Sequence, residues 1–253
     1  MASELSSSSY NYVLSIAVKR DQRRLYFSAK RALDVVVAAM ALLILSPLML
    51  LIAALIKLDS PGPAIFTQKR VGLRRVNRSK GNGAGSEVRW EVSTFDFHKF
   101  RTMKQDASAD VHRAYVQAFI RNDREAMAAV QGADIDVRKL LNDPRVTRLG
   151  AFLRKSSLDE LPQFWSVLKG DMTLVGPRPA LPYEVEAYQP WHRKRLEAVP
   201  GITGPWQVSA RSSVDFDEMV KMDIDYIEHQ SFWLDLKLLA LTPLAVLRSR
   251  GAV

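Results

Sequence analysis

The stretch that most constrains this chain is Val35–Ile56, VVVAAMALLILSPLMLLIAALI, 22 residues without a charge. About 20 helical residues cross the hydrocarbon core of a bilayer, so one transmembrane helix is the plain reading. Ser46-Pro47 opposes it by dividing the run into eleven residues before and nine after. Each half rises only about 14–16 Å, roughly half of the core. Proline also removes a backbone donor and crowds the preceding turn, which predicts a bend at that point.

Charge points the same way. Lys19, Arg20, Arg23, Arg24, Lys30 and Arg31 precede the run, and Lys57, Lys69, Arg70, Arg74 and Arg75 follow it. Positive flanks prefer the cytoplasm, so both ends read as cytoplasmic. A helix that enters, turns at Ser46-Pro47 and leaves on the same side meets the depth and charge constraints together, with Ser46 helping to satisfy the freed backbone. The net charge of +9 sits entirely here: residues 1–80 hold 13 Lys+Arg against 4 Asp+Glu, and the remainder holds 23 of each. Attraction to an anionic lipid surface accounts for this. Nucleic acid is not expected as a partner, because stacking aromatics and groove-reading motifs are missing.

Other features bound the class. A hydrophobic share of 47% and a charged share of 25% describe a globular chain with a core. Zero cysteines exclude disulfides and thiolate metal sites, which fits a reducing compartment. Met1 to Ser9 is short, polar and serine-rich, so no secretory signal is read there.

The reading is α+β, mostly helical: a basic segment over 1–30, a re-entrant helix-break-helix over 31–58, and a cytoplasmic catalytic domain with a small β element over 59–253. Residues 77–89, NRSKGNGAGSEVR, read as a loop, and WEVSTFDFHKFRTM as a strand or hairpin. Residues 106–141 read as one or two surface helices broken at Gly132. RVTRLGAFLRKSSLDELPQFWSVL reads as helix, cap, helix, and residues 183–198 as one helix. Phe232–Leu247 is too charged to span and reads as an amphipathic or core helix.

Chemistry centres on Asp159-Glu160 in SSLDELPQ. On a helix, adjacent carboxylates stand about 100° apart and can face one site, one attacking phosphorus while the other holds a metal. The competing reading is a capping box, Ser157-x-x-Glu160, whose Glu needs no catalytic role. In Gly176-Pro177-Arg178-Pro179 the prolines restrict the backbone around a guanidinium suited to phosphate, though an exposed turn would look the same. Lys99-Phe100-Arg101-Thr102-Met103 offers two cations and a hydroxyl after a strand, as a pyrophosphate site would, or a solvated charge pair. Gly201-Ile202-Thr203-Gly204 either exposes amides to phosphate or makes a turn. The four histidines show no metal-ligand spacing, and no GxSxG elbow or GxGxxG is present.

DPRVTRLGAFLRKSSLDELPQFWSVLKGDMTLVGPRP closely resembles the bacterial sugar transferase family, the monotopic phosphoglycosyl transferases that initiate exopolysaccharide, O-antigen and glycoprotein glycan assembly. The likeness extends to KRALDVVVAAMALLILSPLMLLIAALIKLDSPGPAIFTQKRVG, HKFRTM, VPGITGPWQVSAR, DIDYIE and WLDLKLL, and covers most of residues 30–240. It implies that Asp159 is the nucleophile that forms a phosphoaspartyl intermediate and that Glu160, with Asp159, belongs to a Mg²⁺ site. It further implies phosphate or substrate roles for Lys99, Arg178, Arg101, Arg211 and Asp223, with Asp225 close enough to contest the last. Ser46-Pro47 corresponds to the family's break in a re-entrant membrane helix.

The implied reaction moves a sugar 1-phosphate from a UDP-sugar to undecaprenyl (polyprenyl) phosphate at the cytoplasmic face of a bacterial inner membrane, leaving the sugar open. A membrane-anchored scaffold of a polysaccharide assembly complex is the rival, and it has no need of the Asp159–Glu160 pair, Arg178 and Lys99 together. Compared with compact members, extra sequence stands near 77–90 and 107–140, where specificity, partner binding or homo-oligomer formation could reside.

Overall fold

The structure, a computed structural model, describes residues 23–79, 86–104, 110–131, 145–209 and 214–247. These residues form a mostly helical protein with two small sheets and one long apolar helix near the N-terminus.

That helix, α1, runs from Arg24 to Asp59 and contains Pro47. It is long and apolar enough to cross a membrane, and only 11% of its most apolar stretch is buried against the rest of the protein. Ser46 Oγ donates to the Leu43 carbonyl at 2.8 Å, beside the proline that interrupts the ladder.

The two ends of α1 pack on the same body. At the N-terminal end Lys30, Asp34 and Ala38, four residues apart and hence on one stripe, are buried. Arg31 donates to the Val167 and Leu168 carbonyls at 2.6 and 2.8 Å. Asp34 accepts from Thr173 Oγ1 at 2.7 Å and the Leu174 amide at 2.9 Å. At the C-terminal end Ile52 and Ile56 join Phe100 and Leu153 in a buried cluster. Between them Leu43, Ile44 and Leu50 are exposed apolar surface.

A long antiparallel hairpin follows, β1 (Ile65–Ser79) paired with β2 (Ser86–Phe100) from Ile65↔Phe100 to Ser79↔Ser86. The loop read over 77–89 is corrected at 77–79 and 86–89, which are strand. Glycine and polar residues in that stretch signal a turn, but the partner strand supplies the backbone bonds at 77–79 and 86–89. Near the base, Phe95 and Phe97 point into the main core with Val167, Met172, Leu174 and Tyr226.

The second insertion forms α2 (Asp110–Ile120) and α3 (Arg124–Gln131). They are separated at Asn122, in left-handed backbone with φ 52°, and the break read at Gly132 lies outside the described residues. Nor is α2 purely a surface helix: Tyr115, Ala118 and Ile120 are buried, Ile120 in a cluster with Val71, Tyr188, Phe216 and Val220.

Next come α4 (Arg148–Lys155), a 3-10 turn (Leu158–Glu160), α5 (Gln163–Lys169) and β3 (Thr173–Val175). Residues 183–198 are two pieces rather than one helix, α6 (Pro182–Glu186) and a 3-10 helix (Pro190–Glu197), since Pro190 cannot supply the amide that continuity requires. β4 (Gly201–Thr203) pairs in parallel with β3. The chain then forms α7 (Pro205–Ser209), α8 (Phe216–His229) and α9 (Phe232–Leu247). Buried Asp235 of α9 binds Lys30 of α1, which makes α9 at its N-terminal end a packed helix.

Candidate functional site

Asp159 is set by a local conflict between helix and turn. Thr147 caps α4 by accepting from the Gly150 amide at 3.0 Å. Gly150 is required because a Cβ there would stand 2.1 Å from the Thr102 carbonyl oxygen. α4 therefore lies against the strand end that carries Lys99, and Arg154 Nε donates to Thr102 Oγ1 at 2.9 Å. After α4 the chain reverses at Ser157, whose φ of 57° is left-handed. In that conformation Ser157 makes no side-chain cap, so the capping-box reading fails and Glu160 is released from it. Asp159 and Glu160 lie on a single 3-10 turn.

Asp159 is only 6% exposed, whereas Glu160 is half-buried. Burial, then the charge of Glu160, raise the Asp159 pKa to about 6, while Lys99, Arg154 and Arg178 hold it from rising further. Burial lowers Lys99 to about 8, and the facing Asp159 charge limits that fall. Both belong to the wall of a cavity of about 1160 Å³, together with Glu160, Arg178, Arg154 and Arg70.

Arg178 is held by backbone on both sides. The Gly201 amide donates to the Pro177 carbonyl at 2.9 Å, and Arg70 Nη1 donates to the Pro179 carbonyl at 3.0 Å. A Cβ on Gly201 would stand 2.1 Å from the Gly176 nitrogen, so β4 can approach this loop only as glycine. The Gly201 amide is thus occupied by Pro177, and this end of the 201–204 segment is a strand contact. Arg178 reaches to within 3.8 Å of Glu160, a weak contact that leaves the guanidinium 40% exposed toward the cavity.

The other residues named from sequence divide. Arg101 lines the cavity wall, but its guanidinium donates to the carbonyls of Ser60 and Pro61 at 2.6 Å and of Ile56 at 3.3 Å, closing the C-terminal end of α1. Asp223 is fully buried and pairs with Arg195 at 2.6 Å, so it supports a residue of the cavity wall from behind. Asp225 is on the exposed side of α8, near His229. Arg211 lies outside the described residues.

Arg70 entered the sequence reading only as a charge flanking the apolar run, and Arg154 was not singled out. Each acts on the charge of the site, Arg154 on Asp159 and Arg70 on Lys99. Arg70 is 6% exposed, stacks 5.1 Å from the Phe97 ring and has a buried Nε without a hydrogen-bond partner. The signal available was QKRVG, which falls inside the matched motifs but looks like any charged strand end.

A carboxylate pair facing fixed cations, in a protein with one long apolar helix, is a set of groups suited to phosphate. The chain belongs to the bacterial sugar transferase family, whose model matches residues 25–249. It is 42% identical over 225 residues to the galactosyl transferase CpsE of Streptococcus agalactiae serotype III, covering 88% of this chain and 43% of that one. It is 38% identical to the exopolysaccharide production protein ExoY of Rhizobium meliloti, with 88% of each chain covered. To the UDP-glucose:undecaprenyl-phosphate glucose-1-phosphate transferase of Escherichia coli K12 it is 38% identical over 84% of this chain and 39% of that one. The chain thus spans less than half of CpsE and of the Escherichia coli protein, and most of ExoY.

Proposed function

We propose that the protein transfers a sugar 1-phosphate from a UDP-sugar to undecaprenyl phosphate, with Asp159 as the nucleophile. One observation carries the reading: a carboxylate nearly removed from solvent, facing Lys99, Arg154 and Arg178 in a cavity that also includes Arg101, the clasp on the end of α1. Names of relatives support the substrates, since they specify UDP-glucose, N-acetylgalactosamine phosphotransfer and undecaprenyl phosphate for those proteins.

The cations come first. Lys99, Arg178 and Arg154 bind the donor pyrophosphate and offset its charge, which lets a carboxylate approach phosphorus. An Asp159 oxygen then attacks the sugar-bearing phosphorus, the bond to the bridging oxygen breaks, and UMP departs with the electron pair. The sugar phosphate remains as an acyl phosphate on Asp159. A polyprenyl phosphate oxygen attacks the same phosphorus in the second step and returns the carboxylate. Asp159 and Glu160 fit Mg²⁺, which takes one or two carboxylates with phosphate oxygens, although the described residues contain no cluster of three metal-ligating side chains. Bound there, the ion would supply further neutralisation of phosphate charge.

In the same reading α1, helical straight through Ser46-Pro47 rather than interrupted there, is re-entrant with its bend at that pair and both ends on the cytoplasmic side. Support comes from the packing of both ends on one body and from the exposed apolar middle. The acceptor's phosphate then meets the donor at headgroup depth.

The test is UMP release by the detergent-solubilised protein from UDP-sugars with undecaprenyl phosphate. Formation of UMP together with a lipid-linked sugar phosphate, both lost in Asp159→Asn, is expected. An active Asp159→Asn protein, or no UMP from any donor, contradicts the reading.

A further inference from the structure

The charged side chains of the cavity wall are mostly cationic, and His112 and Tyr183 belong to its uncharged polar part. His112 of α2 and Tyr183 of α6 both line the cavity that holds Asp159, and His112 Nδ1 lies 2.8 Å from the Tyr183 hydroxyl. Their rings meet edge to face at 6.3 Å, and Arg113 lies 5.1 Å from the centre of the Tyr183 ring. Neither side chain is adjustable at low cost. Tyr115, Ala118 and Ile120 bury α2, and Glu184 Oε2 accepts from the Leu181 amide at 2.9 Å to fix the first turn of α6.

Building on the transferase reading, we propose that the insertion helix α2 supplies the sugar-reading wall of the donor cavity, His112 and Tyr183 hydrogen-bonding the uncharged hydroxyls of the hexosyl group. Arg70, Lys99, Arg154 and Arg178 suit phosphate, and a hexose has no charge for them to meet. The His112–Tyr183 pair stays neutral. Burial and the cations Arg70 and Arg145 push the imidazole down to about 4, while burial pushes the Tyr183 phenol up to about 12. One ring nitrogen is engaged with Tyr183, which leaves Nε2 and a lone pair of the phenol oxygen for a second partner. A paired donor and acceptor without charge is the equipment for telling one hydroxyl configuration from another, because a substrate that misplaces its hydroxyl leaves buried polar groups unpaired.

The experiment measures kcat/KM for UDP-glucose, UDP-galactose and their N-acetylated counterparts, plus inhibition by UDP alone. It compares the wild type with His112→Ala, Tyr183→Phe and the milder His112→Gln. The ratio of kcat/KM between the best donor and its 4-epimer changes by about tenfold or more in His112→Ala and Tyr183→Phe. UDP inhibition stays within about twofold, and His112→Gln, which keeps a hydrogen-bonding group, recovers part of the selectivity. An equal loss for every donor overturns the sugar-reading role. A matching loss of UDP affinity overturns it too, by placing the pair at the nucleotide. A wild type that uses none of these donors overturns the transferase reading itself, and that result differs from an active variant with unaltered selectivity.

Discussion

Lys30 and Asp235 are 205 positions apart and form a buried ion pair at 2.7 Å, locking the start of the apolar helix to the C-terminal helix. Tyr226 donates to the same carboxylate at 2.6 Å and Tyr26 at 2.9 Å, so the charge is solvated by protein groups. Arg101 does the matching task at the other end of α1.

Breaking that pair from one side leaves a buried charge without its partner. Lys30→Met is expected to cost about 3–5 kcal/mol, and Lys30→Met/Asp235→Asn to recover more than half of it. Denaturation of the detergent-solubilised variants measures both. Equal stability of wild type and Lys30→Met would show that the two helices are held by other contacts.

The topology of α1 is open to direct labelling, because the sequence contains no cysteine. Leu25 and Leu58, 89% and 84% exposed, flank the apolar run. In Leu25→Cys and Leu58→Cys a membrane-impermeant maleimide applied to spheroplasts should label neither site, and both after lysis. Labelling of one site from outside makes α1 a spanning helix.

The proposed reaction requires Asp159 without its proton and Lys99 with one. Asp159 sits at about 6 and Lys99 at about 8, so kcat/KM should rise through pH 6 and fall through pH 8. Lys99→Arg, charged throughout this range, is expected to remove the alkaline limb alone. An unchanged alkaline limb in that variant assigns it to another group.

Asp159 also carries a stability cost whose sign follows from its raised pKa. The folded state holds this proton up to about pH 6 and the unfolded chain releases it near 3.8, so stability falls as pH rises between those values. Asp159→Asn should therefore be more stable than wild type at pH 7.5, by at most about 3 kcal/mol, with the difference vanishing below pH 4. Thermal melts at the two pH values read this. A destabilised Asp159→Asn at pH 7.5 would mean that the surrounding cations need the carboxylate more than burial opposes it.

What sequence revealed follows from what is local. The apolar run with its proline, the strand before HKFRTM and the motifs around Asp159, Lys99 and Arg178 are each read from one contiguous stretch of sequence. Arg70 and Arg154 are not, because a cation on a strand or helix looks the same whether its guanidinium meets solvent or a buried carboxylate. The Arg195–Asp223 pair joins residues 28 apart through tertiary packing, and Asp223 alone reads as an available acid. Ser157 was legible only as a cap, since nothing in SSLDE announces the left-handed backbone that it adopts after α4. α2 reads as a surface helix because its buried residues, Tyr115, Ala118 and Ile120, find their partners across the fold.

Incubation with a UDP-sugar carrying label in its sugar-bearing phosphorus, in the absence of polyprenyl phosphate, tests the central claim most directly. The wild type should retain up to one label per protein on Asp159, release an equal amount of UMP, and surrender the label when polyprenyl phosphate is added, while Asp159→Asn retains none. Full-rate transfer to lipid with no labelled protein at any time would contradict the account.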